Sequence, residues 1–597
     1  MNWKLKPQPP QEFINQFPEY EPIVLQLLHA RALRDQKAID EFFNPDYDED
    51  LHDPFLMLGM DRAVKRILKA VKKQEPIVIF GDYDADGICG AAILQKTFKV
   101  LGANLMDTYI PDRAREGYGL NFEAISALAK KGVKLIITVD CGITDIKEVG
   151  LANSLGMETV IIDHHEVIDG LPKAVAIVDP HQKGDRYPFK DLAAAGVAFK
   201  VAQAMLRKIK NEKLKIKNEI LDGWEKWLLD FVAIATVADC VSLLGENRTL
   251  VKYGLVVLAQ TNKPGLKELL KIARIAPTLD LRNLETNLDA YTLGFILGPR
   301  LNAASRMKHA NVAYELLVTE SDERAKDLAK EIDQKNHERQ VLTDKIMVDV
   351  SERLQHKKDK PFVIFEGNAS WPIGLIGLVA GRLVDKYCRP TIIYSETDKF
   401  CKASCRSIAK FDLIEAFKKI NGLLLEFGGH PQSAGFNFKK DNAAAIAGAF
   451  DKLARESLKD DDLSVELEID AQIKPQDINF SFFDRLQRFA PFGEDNPKPH
   501  FLMQNLEIFD IKNVGPNGKH MKFIFSSSVP SLLNGVRGGE RGGAENKKFK
   551  AIGFNLTVKN GHLKVGDRVD VVFELLVDEW NGNRELQMKI IDIRKTG

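Results

Sequence analysis

Six cysteines in 597 residues are too few for a disulfide framework, and the CKASC pair (Cys401, Cys405) has no second pair to complete a zinc site. No run of about 18 apolar residues exists that could span a bilayer. The opening MNWKLKPQPPQEF also lacks the apolar core of a secretory signal. A cytoplasmic protein without membrane contact is therefore expected. Charge of one sign is missing too: 84 Lys and Arg offset 84 Asp and Glu, for a formal net charge of zero. The basic footprint usual among nucleic-acid binders is absent from the sum. A local basic channel is still open to the chain, because its acids can be gathered elsewhere. What is present is an ordinary globular composition, 45% hydrophobic and 28% charged, over a length that demands several domains.

From about Pro76 to Pro180 short apolar runs alternate with helical segments. PIVIFGD, KLIITVD, ETVIIDHH and AVAIVDP each read as a strand closed by aspartate. Between the strands lie GICGAAILQKTFKVLG, NFEAISALAKKG and TDIKEVGLANSLG, which read as helices ending at glycine. Strands without polar alternation, separated by helices, predict a parallel sheet covered on both faces. Ligands of such sheets sit outside the carboxyl ends of the strands, where all of these aspartates fall. Residues 225–244 read as one apolar helix interrupted by Asp239. The charged segment 319–355, free of Gly and Pro, predicts a long exposed helix joining two domains; a coiled-coil dimer arm is the blander alternative.

A second α/β unit follows, with CKASCRSI and FGGHPQSAGF read as loops rich in small residues. From about 465 the texture becomes all-β, predicting a small barrel or sandwich, with an oligonucleotide-binding barrel as one candidate. The glycine-rich stretch 532–548 within it reads as a mobile loop. The expected division is an N-terminal segment 1–55, a first α/β domain 56–318, a connecting helix 319–357, a second α/β domain 358–460 and a β domain 461–597.

FGDYDADGICG (80–90) places Asp82, Asp84 and Asp86 directly after the first strand. Asp140 follows the next strand, Asp163, His164 and His165 the third, and Asp239 lies beyond. Acids that serve solubility would be scattered over surfaces. Carboxylates converging on one sheet edge repel one another unless cations neutralise them. Oxygen donors with one or two imidazoles suit manganese or magnesium better than zinc. Two ions about 3.5–4 Å apart, bridged by a carboxylate, would need such a set. The Asp-x-Asp-x-Asp run lacks the spacing and closing glutamate of an EF-hand loop. Tyr118 in EGYGL reads either as a surface for base stacking or as packing beneath its loop.

DYDADG, VDCG, DHH and TVADCVSL resemble, in order and spacing, the motifs of the DHH phosphoesterase superfamily. GPRLNAASR (298–306) and FGGHPQSAG (427–435) are similar to the signature of its DHHA1 partner domain and the approach to it. PDRAREGYGL (111–120), NPKPHF (496–501) and the closing EWNGNRELQMKIIDI resemble the bacterial single-strand-specific exonucleases within that superfamily. The resemblance covers nearly the whole chain. It implies a DHH parallel-sheet domain and a DHHA1 α/β domain joined by the long helix, followed by an OB-like all-β domain. It also implies a nuclease using two manganese or magnesium ions to degrade single-stranded DNA from a 5′ end to mononucleotides, in repair and recombination.

By motif, the resemblance assigns Asp82 and Asp84 to one ion, Asp86, His164 and Asp239 to the other, and Asp140 to both. Asp163 would orient a neighbouring histidine, and His165 and His430 would reach the scissile phosphate. Arg113, Arg300, Arg306, Ser404, Arg406 and Ser407 match the groups that hold phosphates. Guanidinium forks suit a terminal 5′ phosphate. A monomer, and contact with a single-strand-binding protein and a helicase, are further implications. The chain departs from the family pattern at Pro372, where a histidine is common, and at Cys401 and Cys405, where smaller residues are usual. The competing readings are a superfamily hydrolase of nanoRNA or cyclic dinucleotides and a non-catalytic DNA-binding scaffold. Relatives of the first kind generally lack the long β region, and those of the second lose metal ligands that are all present here.

Overall fold

The computed structural model describes residues 2–113, 115–167, 170–213, 221–307, 309–357, 359–529, 545–557, 561–580 and 583–596. The chain forms two compact units, Pro45–Val465 and Met1–Asn44 with Glu466–Gly597.

In the first unit, strands β1 (Ile77–Gly81), β2 (Leu105–Tyr109), β3 (Leu135–Val139), β4 (Glu158–Ile162) and β5 (Ala176–Val178) form a sheet of order β2-β1-β3-β4-β5. Every pairing is parallel. Ile77 and Ile79 enter one core while Val78 and Phe80 enter another, so both faces of β1 are dry. That burial explains the unbroken apolar runs. The expected strands and helices are in place. Strand β2 was not expected: its sequence, LMDTY, is polar at the sheet edge. Because β2 and β3 flank β1 on opposite sides, the order reverses at the carboxyl ends of β1 and β3, which opens a crevice there.

The segment 225–244 differs from expectation. A short turn of helix at Trp224–Leu228 leads into α2 (Leu229–Ala238), α1 being the helix Ala85–Leu101, and Asp239 follows the last turn rather than interrupting it. A second acid inside α2, Asp230, is buried against Lys263 at 2.7 Å. After α3 (Gly298–Met307) comes α4 (Asp322–Gln355), capped by Ser321, whose hydroxyl accepts from the Arg324 amide at 3.2 Å. The buried residues of α4, from Ala325 to Val350, recur at helical spacing, every three or four positions apart from the adjacent Leu328 and Ala329. Its first turns join the core of the parallel sheet, and Ile346 and Val350 join that of the next lobe. The long connecting helix is thus as expected, with one stripe buried.

The next lobe is a five-stranded sheet of β6 (Ile364–Gly367), β7 (Thr391–Glu396), β8 (Cys401–Arg406), β9 (Leu424–His430) and β10 (Ser433–Phe438), in the order β9-β10-β8-β7-β6. CKASCRSI and FGGHPQSAGF were read as loops, and the structure corrects this: they form β8 and most of the β9–β10 hairpin. Cys401, Ala403 and Cys405 alternate into a phenylalanine-rich core, where small side chains fit beside Phe436 and Phe438. Pro372 precedes the helix Ile373–Tyr387 at its N-cap position.

In the second unit, Phe501–Val514, His520–Val529, Glu545–Gly553, Asn583–Lys595 and Arg568–Trp580 pair in that order. Phe501–Val514 pairs again with Arg568–Trp580, closing a barrel. The stretch expected as a mobile loop lies outside the described residues up to position 544. The N-terminal residues belong to this unit: Asn2–Leu5 pairs in parallel with Glu466–Ile469. Buried Arg31 donates from Nε to Asn496 Oδ1 at 2.6 Å and from Nη2 to the Pro497 carbonyl at 2.6 Å. NPKPHF therefore carries a structural anchor.

Candidate metal centre and phosphate cavity

The crevice at the ends of β1 and β3 gathers Asp82, Asp84, Asp86, Asp140, His164, His165 and Asp239, with Asp163 against His165; His430 and Asp179, which closes β5, are not in these groups. Asp84 caps α1, accepting from the amides of Asp86 at 2.9 Å and Gly87 at 3.2 Å. Asp86, fully buried, accepts at 2.7 Å from the amides of both Ala194 and Ala195, which open the helix Ala194–Glu212. Those amides fix its carboxylate and favour its charge. Asp140 follows β3 with φ of 62°, a left-handed backbone that costs a non-glycine residue energy and is typical of functional turns. The Tyr118 hydroxyl donates to its carbonyl at 2.9 Å.

Three groups of donor atoms are close enough to share an ion: Asp82, Asp84 and Asp140; Asp86, His164 and Asp239; and Asp140, His164 and His165. His164 Nε2 lies 3.3 Å from Asp140, 3.6 Å from Asp239 and 3.7 Å from Asp86. Asp140 is thus the carboxylate common to both sides. Asp163 is held differently. It accepts from the Ile143 amide at 3.0 Å and the His164 amide at 2.8 Å, and lies 2.7 Å from His165 Nδ1. It is placed to orient His165.

The electrostatics separate these roles. Burial, then the neighbouring carboxylates, push Asp82 and Asp140 well above the carboxylate range, Asp86 up to about 7 and Asp239 up to about 9. Asp163 is equally buried, yet its bond to His165 holds it below the usual value. Burial would lower His165, but the Asp163 hydrogen bond outweighs it and the imidazole rises to about 9. Burial lowers His164 to about 4, leaving a neutral ring able to ligate. Asp82 Oδ1 is buried with no hydrogen-bond partner among the described residues. A repelling, oxygen-rich set with an orphaned oxygen and a neutral imidazole fits a pair of hard divalent cations, manganese or magnesium.

The cavity in front of this cluster has a volume of about 310 Å³ and is lined by Asp82, Tyr83, Asp84, Arg113, Tyr118, Asp140, His165, Ala238, Asp239, Asn302 and Arg306. Family models match the chain as the DHH family N-terminal domain over residues 76–236, the DHHA1 domain over 345–456 and the RecJ OB domain over 469–537 and 539–592. The single-stranded-DNA-specific exonuclease RecJ of Bacillus subtilis is 35% identical over 597 residues, which cover 99% of this chain and 70% of that protein. The chain belongs to the RecJ family. RecJ of Escherichia coli is 30% identical over 545 residues, 90% of each chain. The structure of RecJ in complex with Mn2+ from Thermus thermophilus matches 100% of this chain and 80% of that one, with a TM-score of 0.80 and 25% identity.

The phosphate-holding groups implied by the RecJ resemblance do not all converge. Arg113 and Arg306 line the cavity. Arg113 lies over the Tyr83 ring at 4.8 Å, and Arg306 donates to the Gly374 carbonyl at 3.2 Å from the other lobe. Burial, then Arg113, lowers Arg306 to about 10. Arg406 is half-buried on β8, with Nη1 donating to the Cys405 carbonyl at 2.8 Å and lying 3.5 Å from Ser404 Oγ. Arg300 is not among the residues lining the cavity: its Nε pairs with Asp333 at 2.9 Å and its Nη1 donates to the Ile296 carbonyl at 2.8 Å. Ser407 is buried and donates to the Phe411 carbonyl at 2.6 Å. His430 is exposed at the end of β9 and does not line the cavity. It flanks Ser433 across the hairpin, and Arg406 flanks Ser433 from the other side. Tyr118 is 44% exposed as a residue while its hydroxyl donates to the Asp140 carbonyl and sits 3.3 Å from His165 Nδ1.

Sequence reasoning missed Asn302. Its Oδ1 accepts from the Ala85 amide at 2.7 Å, tying α3 to the turn that carries Asp82, Asp84 and Asp86. The asparagine lies within GPRLNAASR, a motif read only for its arginines.

Proposed function

We propose that this chain is a single-stranded-DNA-specific exonuclease that starts at a 5′ end and releases 5′-mononucleotides with the help of two Mn2+ or Mg2+ ions. The observation that carries this reading is buried Asp140, which shares one group of donors with Asp82 and Asp84 and another with His164 and His165, at a cavity whose wall presents Arg113 and Arg306. Asp82 and Asp84 would hold one ion, and Asp86, His164 and Asp239 the other. Bound there, the pair would ready water for attack and offset charge on the transition state.

The protein's own groups do the rest. Asp86 is fixed by helix amides, so its ligand oxygens are placed in advance. Asp163 fixes His165 as a donor to the scissile phosphate or its leaving oxygen. Arg113 and Arg306 draw the phosphate in, and Arg406 with Ser404 takes the terminal 5′ phosphate, with His430 approaching from the second lobe. Arg300 and Ser407 would complete the phosphate-holding set, with Arg300 exchanging its present pairing with Asp333 and Ser407 its bond to the Phe411 carbonyl. The β barrel grips the strand by charge and stacking. The protein works as a cytoplasmic monomer in repair and recombination, beside a single-strand-binding protein and a helicase.

The test uses a single strand labelled at either end, its duplex, and dinucleotides, all with MnCl2. Release of the 5′ label as a mononucleotide, with stepwise shortening of the 3′-labelled strand, is expected on the single strand and not on its duplex. Activity confined to dinucleotides would favour the small-substrate reading, and no hydrolysis of any phosphodiester would favour the scaffold.

A further inference from the structure

Apolar side chains stay exposed at a cost, so a stacked aromatic pair left in water calls for an occupant. Tyr291 and Phe295 are 60% and 72% exposed, and their rings stack with centroids 5.0 Å apart and planes 18° apart. Tyr291 directly precedes and Phe295 lies within a π-helical turn, Thr292–Leu297, a distortion frequent at functional sites, which runs directly into α3. The buried side of that turn is pressed against α2. A Cβ on Gly294 would come within 3.1 Å of Val237, and one on Gly298 within 3.1 Å of Ala238, which lines the cavity beside Asp239. Arg300 braces the turn by donating to the Ile296 carbonyl and pairing with Asp333. The pair is therefore rigidly mounted on the same helix that carries Asn302 and Arg306 into the cavity. From Phe295 to Asn302 that helix rises by about 10 Å at roughly 1.5 Å per residue.

We propose that Tyr291 and Phe295 form a stacking platform for bases of the single strand a few nucleotides from the phosphate cavity. The proposal rests on the reading of the chain as a single-strand nuclease and deepens it. Flat rings at van der Waals contact present π-faces of the size of a base, and such stacking tolerates any sequence, as an exonuclease requires. An apolar protein segment would need only greasy surface, whereas bases need aromatic faces. The platform gives α3 two tasks at once, holding a base outside and a phosphate inside.

The test compares wild type, Tyr291→Leu/Phe295→Leu and Tyr291→Phe/Phe295→Trp on a long single strand and on a dinucleotide. The leucine pair stays apolar but cannot stack. It should raise KM on the long strand at least about tenfold, leave kcat within about twofold and leave dinucleotide cleavage unchanged, while the aromatic pair should match wild type. Equal KM for the leucine pair and wild type would overturn the platform and leave the nuclease reading intact. Loss of dinucleotide cleavage by the leucine pair would also overturn it, because the aromatics would then be supporting the cavity itself. Failure of wild type to degrade the long strand would instead overturn the nuclease reading beneath it.

Discussion

Carboxylates are buried in two settings within Pro45–Val465, and the contrast explains what each is for. Asp230 on α2 has Lys263 Nζ at 2.7 Å and accepts from the Thr261 hydroxyl at 2.9 Å. Glu246 pairs with buried Lys200 and accepts from the Tyr187 hydroxyl and the His52 amide. Each has its cation built in, as a buried charge in a stable fold must. The carboxylates at the ends of β1 and β3 do not. Among the described residues, Asp140 has only imidazoles as ion-pair partners and Asp82 has an orphaned oxygen, and both are pushed well above the carboxylate range. One helix, α2, carries both kinds, Asp230 at its start and Asp239 just past its end. The first kind holds the fold together. The second is a standing demand for cations from outside.

The sharpest way to break this contrast is Asp140→Asn. Removing the shared ligand should lower turnover at least about a thousandfold. Because the wild-type carboxylate is repelled by its neighbours, the variant's metal-free melting temperature should equal or exceed that of wild type. Near-normal turnover, or a large loss of stability without metal, would place Asp140 among the structural acids. Lys263→Met should do the reverse. It should cost about 3–5 kcal/mol of stability by stranding Asp230, with activity per folded molecule unchanged. Adding Asp230→Leu should restore most of that loss in a denaturant titration.

The contrast was partly legible in the sequence. Aspartates at the ends of strands are visible because buried parallel strands read as unbroken apolar runs, and the convergence of Asp82, Asp140 and Asp163 follows from topology alone. Asp230 was invisible as a separate case, since only its distant partner, Lys263, gives it a role. Strand β2 was missed because edge strands carry polar residues such as Asp107, and β8 because alternating small residues mimic a loop. The pairing of Asn2–Leu5 with Glu466–Ile469 left no local trace, being a contact between opposite ends of the chain. Arg300 shows what a motif leaves out: residue type suggests phosphate binding, and only the structure shows the side chain paired with Asp333.

A milder version of the built-in partner occurs in the barrel unit, where His500 Nε2 lies 3.6 Å from Glu574 Oε1. Burial would lower His500, but Glu574 and the Glu468 carbonyl raise it above its ordinary 6.5. Burial would raise Glu574, yet His500 and Lys589 hold it below 4.5. The histidine's contribution is full below its unfolded value and fades as pH rises through the higher folded value. That of the glutamate is full above 4.5 and fades as pH falls. Stability from the pair should therefore be greatest between about pH 4.5 and 6.5 and decline toward pH 8, by less than about 1 kcal/mol. In His500→Gln the histidine's share of this decline should disappear from melting curves taken between pH 6 and 8. An unchanged slope would show that His500 does not titrate against Glu574.

The central claim is that the uncompensated carboxylates exist to hold a pair of divalent ions around Asp140. Calorimetric titration of the wild-type protein with MnCl2 tests it most directly. Two ions bound per chain, with the paired binding lost in Asp140→Asn, is the predicted result. A single ion, none, or a stoichiometry that Asp140→Asn leaves unchanged would contradict it.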